Sequence, residues 1–334
     1  MAKTVQQSFD EFLVRSVRLD PDQNNNAKTS KDELLKQIQK LPADGDFPEL
    51  HNIIPFIQYG SYSRKTKIRP LDDIDLMVVL DAKGSTYDSS INPSDVHNQF
   101  DVATFRQFRD ANGRINSTKV INTFIKNLSK IHLYRKADFK KNQEAAVLEL
   151  QSYEWVYDIV PCFITKPEPN GKTYFLIPDG KGAWKKTDPR VDKDRVAKVK
   201  GTHNISILDV IRLCKYWNVR PTMPTMGSYL LENMVLDYFE FNGAFSQLSS
   251  IKVGFLYALN HIRNAVNNIV LDPKGLQGDL NNLTLDEKDK ISRRAEADYN
   301  KGNQAMRLEL SGYHEQAIAI WREIFGSNFP LYTN

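Results

Sequence analysis

Asp73 and Asp75 stand one residue apart at the head of an apolar run, DIDLMVVL, that otherwise reads as a buried strand. Along a strand, residues i and i+2 share a face with Cα atoms about 6.5–7 Å apart. Both carboxylates therefore point one way, while Ile74 and Leu76 point the other. Asp72 falls on the wrong face, at the strand mouth, and reads as a turn residue. Two like charges with little water around them repel each other and lose hydration, a cost that cations offset. Mg²⁺ takes hard oxygen ligands and bridges phosphate oxygens, so it is the natural ion here, with Mn²⁺ the alternative. A pair of ions roughly 3.5–4 Å apart calls for a third carboxylate from another strand. Asp158, alone among the apolar neighbours of EWVYDIVPCFI, provides one.

The loop before the first two aspartates suits the same chemistry. Gly60 lets the backbone come close to a ligand, and Ser61 adds a hydroxyl and its own N–H. Together they fit the outer phosphates of a nucleoside triphosphate. A Gly-Ser pair alone carries almost no information. Gly-Ser followed after eleven residues by Asp-x-Asp, and later by a lone strand aspartate, is fairly specific.

The elements that must position these residues are legible in outline. Val5, Phe9, Phe12, Leu13, Ser16 and Val17 recur at helical spacing, so the chain opens with an amphipathic helix. DPDQNNNAKT breaks it, and SKDELLKQIQKL restarts a helix with Ser30 and Glu33 spaced as a capping box. NIIPFIQYG and DIDLMVVLDA read as strands, AKGSTYDSSINPSDVHNQFD as loop, and STKVINTFIKNLSKIH as a helix. AAVLELQ and EWVYDIVPCFI are two strands joined by a short turn. TYFLIPDGKGAWKKTDPR is a strand and a Gly-containing turn leading to a proline stop. Beyond about residue 195 the pattern becomes helical, and TLDEKDKISRRAEADYNKGNQAMRLEL reads as a solvated, polar-faced helix. Strands first and helices second imply an α+β chain with a mixed catalytic lobe and a helical lobe.

Bulk composition sets few limits. A hydrophobic fraction of 41% and a net charge of +4 over 334 residues suit an ordinary globular protein that tolerates polyanions without demanding them. The opening MAKTVQQSFDEFLVRSV lacks an apolar core and cleavage site, and no stretch approaches the roughly 20 apolar residues of a membrane span. The two cysteines, Cys162 and Cys214, sit in apolar settings and read as core thiols, so the cytoplasm is the expected compartment. Between Lys181 and Lys200 eight Lys or Arg face three Asp. That segment reads as a solvated surface or hinge, with electrostatic steering of triphosphates or contact with nucleic acid as the functional alternative.

The residues resemble the nucleotidyltransferase superfamily typified by DNA polymerase beta. GSYSRKT…DDIDLMV is similar to its Gly-Ser…Asp-x-Asp signature, and YDIVPCF to the strand bearing its third carboxylate. The closer resemblance is to bacterial cyclic-oligonucleotide synthases (CD-NTases, the SMODS domain), relatives of oligoadenylate synthase and cyclic GMP-AMP synthase. FLIPDGKGAWKKTDPR, IRLCKYWN, GSYLLENM and AIAIWREIFGSNFP are similar to segments of that group, so the likeness runs over roughly residues 50–330. It implies a polymerase-beta-like nucleotidyltransferase lobe with a mixed sheet and the N-terminal helix over 1–195, and a helical lobe over 196–334. The active site would lie in the cleft between them.

By the same resemblance Lys215 binds the triphosphate, Ser228 assists it, Tyr229 stacks on a base, and Thr66 matches a frequent loop threonine. As plain residues, Lys215 also reads as a surface lysine and Tyr229 as helix packing. Lys65 stands where relatives often have glycine. The cysteine count excludes the zinc-bound insertion of the animal DNA sensor, so nucleic acid is not required for activation by that device. The implied activity is joining of nucleoside triphosphates (ATP, with GTP, CTP or UTP) into a cyclic di- or trinucleotide with release of pyrophosphate. The implied setting is bacterial antiphage defence beside an effector that binds the product. Two rivals stay open on the residues alone. One is a transferase that adds nucleotides to tRNA, a protein or a small molecule. The other is a catalytically silent nucleotide-binding module.

Overall fold

The computed structural model describes residues 3–98, 100, 102–242 and 248–333. Its elements in chain order begin with helix α1 (Val5–Phe12), a π-helical turn (Leu13–Val17), α2 (Pro21–Lys40), strand β1 (Phe56–Gln58) and the one-turn helix α3 (Gly60–Ser63). Next come β2 (Asp73–Val79), β3 (Thr86–Tyr87), β4 (Val96–His97), α4 (Ala103–Arg106) and α5 (Ser117–Leu128). Five strands follow: β5 (Asp138–Asn142), β6 (Ala145–Glu149), β7 (Val156–Ile164), β8 (Phe175–Pro178) and β9 (Trp184–Thr187). The chain finishes with α6 (Pro189–Thr202), α7 (Ile207–Asn218), α8 (Ser228–Asn242), α9 (Ile251–Ala265), α10 (Leu285–Leu310) and α11 (His314–Phe325).

These elements form two compact units. The first comprises Met1–Pro21, Arg64–Pro70 and Val191–Asn334, and the second comprises Asp22–Ser63 and Leu71–Arg190. The second holds a mixed sheet of order β1-β2-β7-β6-β5, with β8 paired to β7 and β9 to β8. Among the described residues of this sheet β2 and β7 run parallel, and the other pairs run antiparallel. Ile74, Leu76, Tyr157 and Ile159 are buried on one face. α5 carries its own buried stripe, Val120, Ile121, Phe124 and Leu128, and packs on the sheet. The opposite face begins with the aspartates and continues as an apolar cluster of Met77, Val79, Val147, Val160 and Cys162.

The helical unit is built around one core. Phe9, Phe12, Trp217, Phe239, Phe255, Trp321, Phe325 and Phe329 are all buried in it. Phe9 makes edge contacts with Trp321 and Phe329, with centroids 4.9 and 5.1 Å away. The N-terminal helix thus belongs with the C-terminal helices, not with the sheet as the 1–195 partition expected. Periodicity shows that a helix has an apolar stripe but not which distant surface buries it.

Several local expectations change in the same way. The asparagine-rich segment does not break a helix: α2 runs from Pro21 to Lys40, and Ser30 and Glu33 lie inside it. Asparagine costs only a fraction of a kcal/mol per residue in a helix. Here the buried stripe of Ala27, Leu34 and Ile38 crosses the segment and outweighs that cost. The segment expected as loop contains the small β3–β4 pair, with Gln99 and Asp101 outside the described residues. Polar β5 was not expected, because its pattern ADFKKN lacks a hydrophobic signature. Pro189 opens α6 at its first position, where its missing N–H costs nothing, and so starts a helix instead of stopping the chain. α10 is not simply solvated, since Ile291, Ala295, Asp298, Gly302 and Ala305 on it are buried.

Phe9→Ala tests the placement of α1. Truncating this fully buried ring should lower stability by about 3–5 kcal/mol, read as a drop in the urea midpoint, whereas an α1 outside the helical core would lose little.

Candidate active site

The parallel pairing of β2 with β7 decides where the three aspartates go. Asp75 is the direct partner of Asp158, and Asp73 is the partner of Val156. Cross-strand partners share a face, and Asp73 lies two residues from Asp75, so all three side chains start from one face of the sheet. The burial pattern agrees, because Asp73, Asp75 and Asp158 are each partly exposed while Ile74, Leu76 and Tyr157 between them are buried. On the far side of Asp158 its antiparallel partner is the buried Val147.

Gly60 is constrained by Asp75. The Tyr59 N–H donates to the Asp75 carbonyl at 3.4 Å, which brings the start of α3 over that carboxylate. Gly60 has φ +70°, and a Cβ there would meet Asp75 Oδ2 at 1.7 Å. Only glycine leaves room for the carboxylate. Ser61 follows on α3 and is partly exposed. Tyr59, which sequence reasoning missed, shares this neighbourhood. Its phenol is held well above its ordinary pKa, first by burial and then by the negative charges of Asp75, Asp158 and Glu144. The signal available was its position immediately before the Gly-Ser pair.

The donor set suits a hard divalent ion in type and in register: three carboxylates from adjoining positions of two strands, with a glycine opposite one of them. Asp73, Asp75 and Asp158 are the residues that would hold it. As the side chains are turned, however, their oxygens are not gathered. Among the described residues no three Asp, Glu, His or Cys side chains form a ready ion-holding group. A strand fixes the Cβ positions, whereas side-chain torsions decide where the oxygens point.

The helical unit brings together a second constellation. Lys215 on α7 is buried, and its Nζ donates to Glu232 Oε2 at 2.6 Å and to Thr66 Oγ1 at 3.2 Å. Thr66 is itself fully buried and donates to Glu232 Oε2 at 2.8 Å. Arg64 Nε reaches Glu232 Oε1 at 2.7 Å. Lys215 is therefore not a surface lysine. Burial lowers its pKa, and Glu232 opposes the shift. Burial pushes Glu232 upward, but Lys215 and Arg64 outweigh it and bring the carboxyl down to about 2. The geometry depends on the loop: Lys65 has φ +61°, a left-handed conformation that costs a side-chain-bearing residue about 1 kcal/mol. Glycine at that position would avoid this strain. The Lys65 carbonyl accepts from Arg212 Nη2 at 2.5 Å, which helps to hold the turn.

Ser228 is exposed at the first position of α8, and Tyr229 beside it is partly buried. Asn218 at the end of α7 exchanges two hydrogen bonds with Met226, at 2.8 and 2.9 Å, and so ties the start of α8 to the helix that carries Lys215. The Tyr229 hydroxyl donates to Asp192 Oδ1 at 2.6 Å and accepts from Lys274. The Lys274 ammonium lies 4.3 Å from the ring centroid and the Arg64 guanidinium 5.9 Å. Burial and the Asp192 contact raise the phenol far above its usual range. The basic stretch 181–200 is largely engaged: Lys185, Lys186, Arg190, Arg195 and Lys198 each pair with an acidic side chain. It does not present a continuous run of uncompensated charge.

No family model matches the sequence. Over 331 residues, 99% of each chain, it is 39% identical to the probable cyclic nucleotide synthase of Bacillus cereus (strain VD146). Among solved structures it is similar to E. coli MS115-1 CdnC in its complex with HORMA-deltaN, with a TM-score of 0.68 at 15% identity over 97% of this chain and 98% of that one. It is also similar to the apo form of Vibrio cholerae DncV, with a TM-score of 0.66 at 12% identity over 97% and 96% of the two chains. These structural likenesses carry the fold alone. The full-length identity carries the family: the chain belongs to the cyclic nucleotide synthases of the CD-NTase group.

Gly60→Ala should displace the Asp75 carboxylate and, at a positive φ, cost about 1–2 kcal/mol; the urea midpoint checks the stability loss. The Glu232 carboxyl, ordinarily near 4.5, is lowered to about 2 by Lys215 and Arg64, so its charged form stabilises the fold. That stability is fully present above the unfolded pKa and is lost as pH falls through the folded one. The stability gap between the unaltered protein and Glu232→Gln should therefore be widest above about pH 4.5 and close toward pH 2. Urea titrations across that window measure it.

Proposed function

We propose that this chain is a Mg²⁺-dependent synthase that joins nucleoside triphosphates into a cyclic di- or trinucleotide and releases pyrophosphate. Asp73, Asp75 and Asp158 hold two ions, with Mn²⁺ as a substitute. The observation that carries this reading is the parallel register setting Asp75 against Asp158, with Asp73 on the same face. Three carboxylates on the rim of an apolar sheet carry a desolvation and repulsion cost that fold stability alone does not require. A relative 39% identical bears the name probable cyclic nucleotide synthase. DncV is described as a cyclic AMP-GMP synthase, and CdnC has been solved with ATP.

When bound, the ions would lower the pKa of an acceptor ribose hydroxyl and neutralise charge around the α-phosphorus and the leaving pyrophosphate. The chain's own residues do the rest. Gly60 and Ser61 present backbone and hydroxyl donors to the outer phosphates of the donor nucleotide. Lys215, with Thr66 beside it, supplies positive charge, and Ser228 adds a hydroxyl donor. Tyr229, fixed at its hydroxyl by Asp192 and Lys274, offers a ring to a base. Asp158 takes the proton from the attacking hydroxyl, directly or through a water. The product is a second messenger for an effector protein in bacterial antiphage defence. CdnC has been solved with HORMA-deltaN, which supports a protein partner in regulation here. No helix among the described residues is long and apolar enough to cross a membrane; the cytoplasm is the proposed place of work.

Purified protein with Mg²⁺ and labelled ATP, GTP, CTP and UTP should yield phosphatase-resistant products of cyclic mass. Asp73→Asn with Asp75→Asn should lose at least about 10²-fold in rate, roughly 2.7 kcal/mol of barrier. Undiminished turnover in the double variant would end the assignment. Pyrophosphate release only when a separate acceptor is added would point to a transferase instead. ATP binding with no product would point to a silent module.

A further inference from the structure

Glu232 and Arg64 join the constellation around Lys215 without any signal in the sequence. Glu232 lies one helical turn beyond Ser228 on the same face of α8 and is 2% exposed. Its two oxygens serve three donors: Arg64 Nε on one, Lys215 Nζ and Thr66 Oγ1 on the other. One carboxylate therefore holds two cations directly, and Asp192, bonded to the Tyr229 hydroxyl, adds a second negative field at Arg64. Lys67 adds a further positive field at Lys215. A buried pair with matched charges would close on itself. Drawing in a second cation costs additional desolvation that the pair does not need. Two cationic donors held side by side next to a hydroxyl are the parts from which a seat for an anion is built.

Arg64 is only slightly the more open of the two cations, its side chain 10% exposed against 5% for Lys215. Its guanidinium carries donors on the two terminal nitrogens besides the Nε bound to Glu232, in the fork that matches paired phosphate oxygens.

We infer that Glu232 is a positioning residue that holds Arg64 beside Lys215 as a two-cation seat for the nucleotide triphosphate, with Arg64 a phosphate ligand in its own right. This rests on the reading of the chain as a consumer of nucleoside triphosphates. It names a ligand and a support which that reading lacks. The sign of the effect separates positioning from simple charge balance. A carboxylate that merely competed with phosphate would, once neutralised, leave a more positive site and tighter anion binding. A carboxylate that positions would, once neutralised, let two like charges part, and binding weakens.

The probe is inorganic tripolyphosphate, titrated calorimetrically into the full-length protein without metal, so that the aspartates play no part. Glu232→Gln and Arg64→Met should each weaken binding by about tenfold or more, the scale of one charge-assisted hydrogen bond. Glu232→Asp should recover part of the loss. In turnover with ATP the two weakened variants should raise KM by a similar factor while kcat stays within about threefold. Unchanged or tighter binding in Glu232→Gln, or no binding by the unaltered protein, overturns the assignment. Should Glu232→Gln fail to fold, Arg64→Met decides, since it leaves the Glu232–Lys215 pair in place, and unchanged affinity there overturns the assignment equally. A protein that binds tripolyphosphate but makes no product from nucleotides would remove the synthase reading and leave the seat standing.

Discussion

The parallel register of β2 on β7 is the constraint around which the sheet unit is organised. A slip of one residue would carry Asp158 to the face where Ile74, Leu76, Tyr157 and Ile159 are buried, and would expose apolar side chains in its place. That penalty pins the pairing, and the pairing brings two carboxylates side by side. Residues 80–155 separate the two strands in sequence, so the contact is long-range, and everything between them serves in part to return the chain to the same edge of β2. β1 then lies on the other side of β2, and its exit brings Gly60 against Asp75, where a Cβ has no space.

The helical unit solves a different problem, that of burying charge. Glu232 answers Lys215 and Arg64, and Asp209 answers Arg18 and Arg212 at 2.6 and 2.8 Å. Asp298 accepts from Trp217 Nε1 at 2.8 Å and from Arg294 at 2.6 Å. Each carboxylate joins elements distant in sequence, so breaking any one would strand a buried ion, which is far costlier than the pair is stabilising. The short segment 64–70 is held by such contacts. Thr66 and Arg64 bond Glu232, Ile68 packs on the helical core, and the Arg69 guanidinium donates to the carbonyls of Arg15 and Arg18. Its chain neighbours, Ser63 and Leu71, belong to the sheet unit. A stretch between the Gly-Ser turn and the first aspartate is thereby committed to the helices.

Much of the site could be read directly because carboxylates on an apolar strand are conspicuous at short range. Period-two alternation put Asp73 and Asp75 on one face, and the register agrees. Gly60 was readable as a close-approach glycine, though not as one opposed by Asp75. Lys215 and Thr66 entered by resemblance, and nothing in their own surroundings in the sequence foretold that they touch. Glu232 was invisible, since GSYLLENM offers no reason to prefer a buried glutamate over a solvated one. α2 misled for the reverse reason: local propensity marked a break where a tertiary stripe carried the helix through.

What the amino-acid sequence determined alone is whatever depends on neighbours within a few residues: the strand alternation that orients Asp73 and Asp75, the helical stripe of α1, the glycine before Ser61. Tertiary structure alone decided which faces meet. It set Asp158 beside Asp75, sent α1 to the C-terminal helices, and gathered Arg64, Thr66 and Lys215 around the Glu232 carboxylate. Backbone torsions and hydrogen-bond periods act locally and leave a trace in spacing. Desolvation and charge pairing depend on surroundings that only the folded chain supplies.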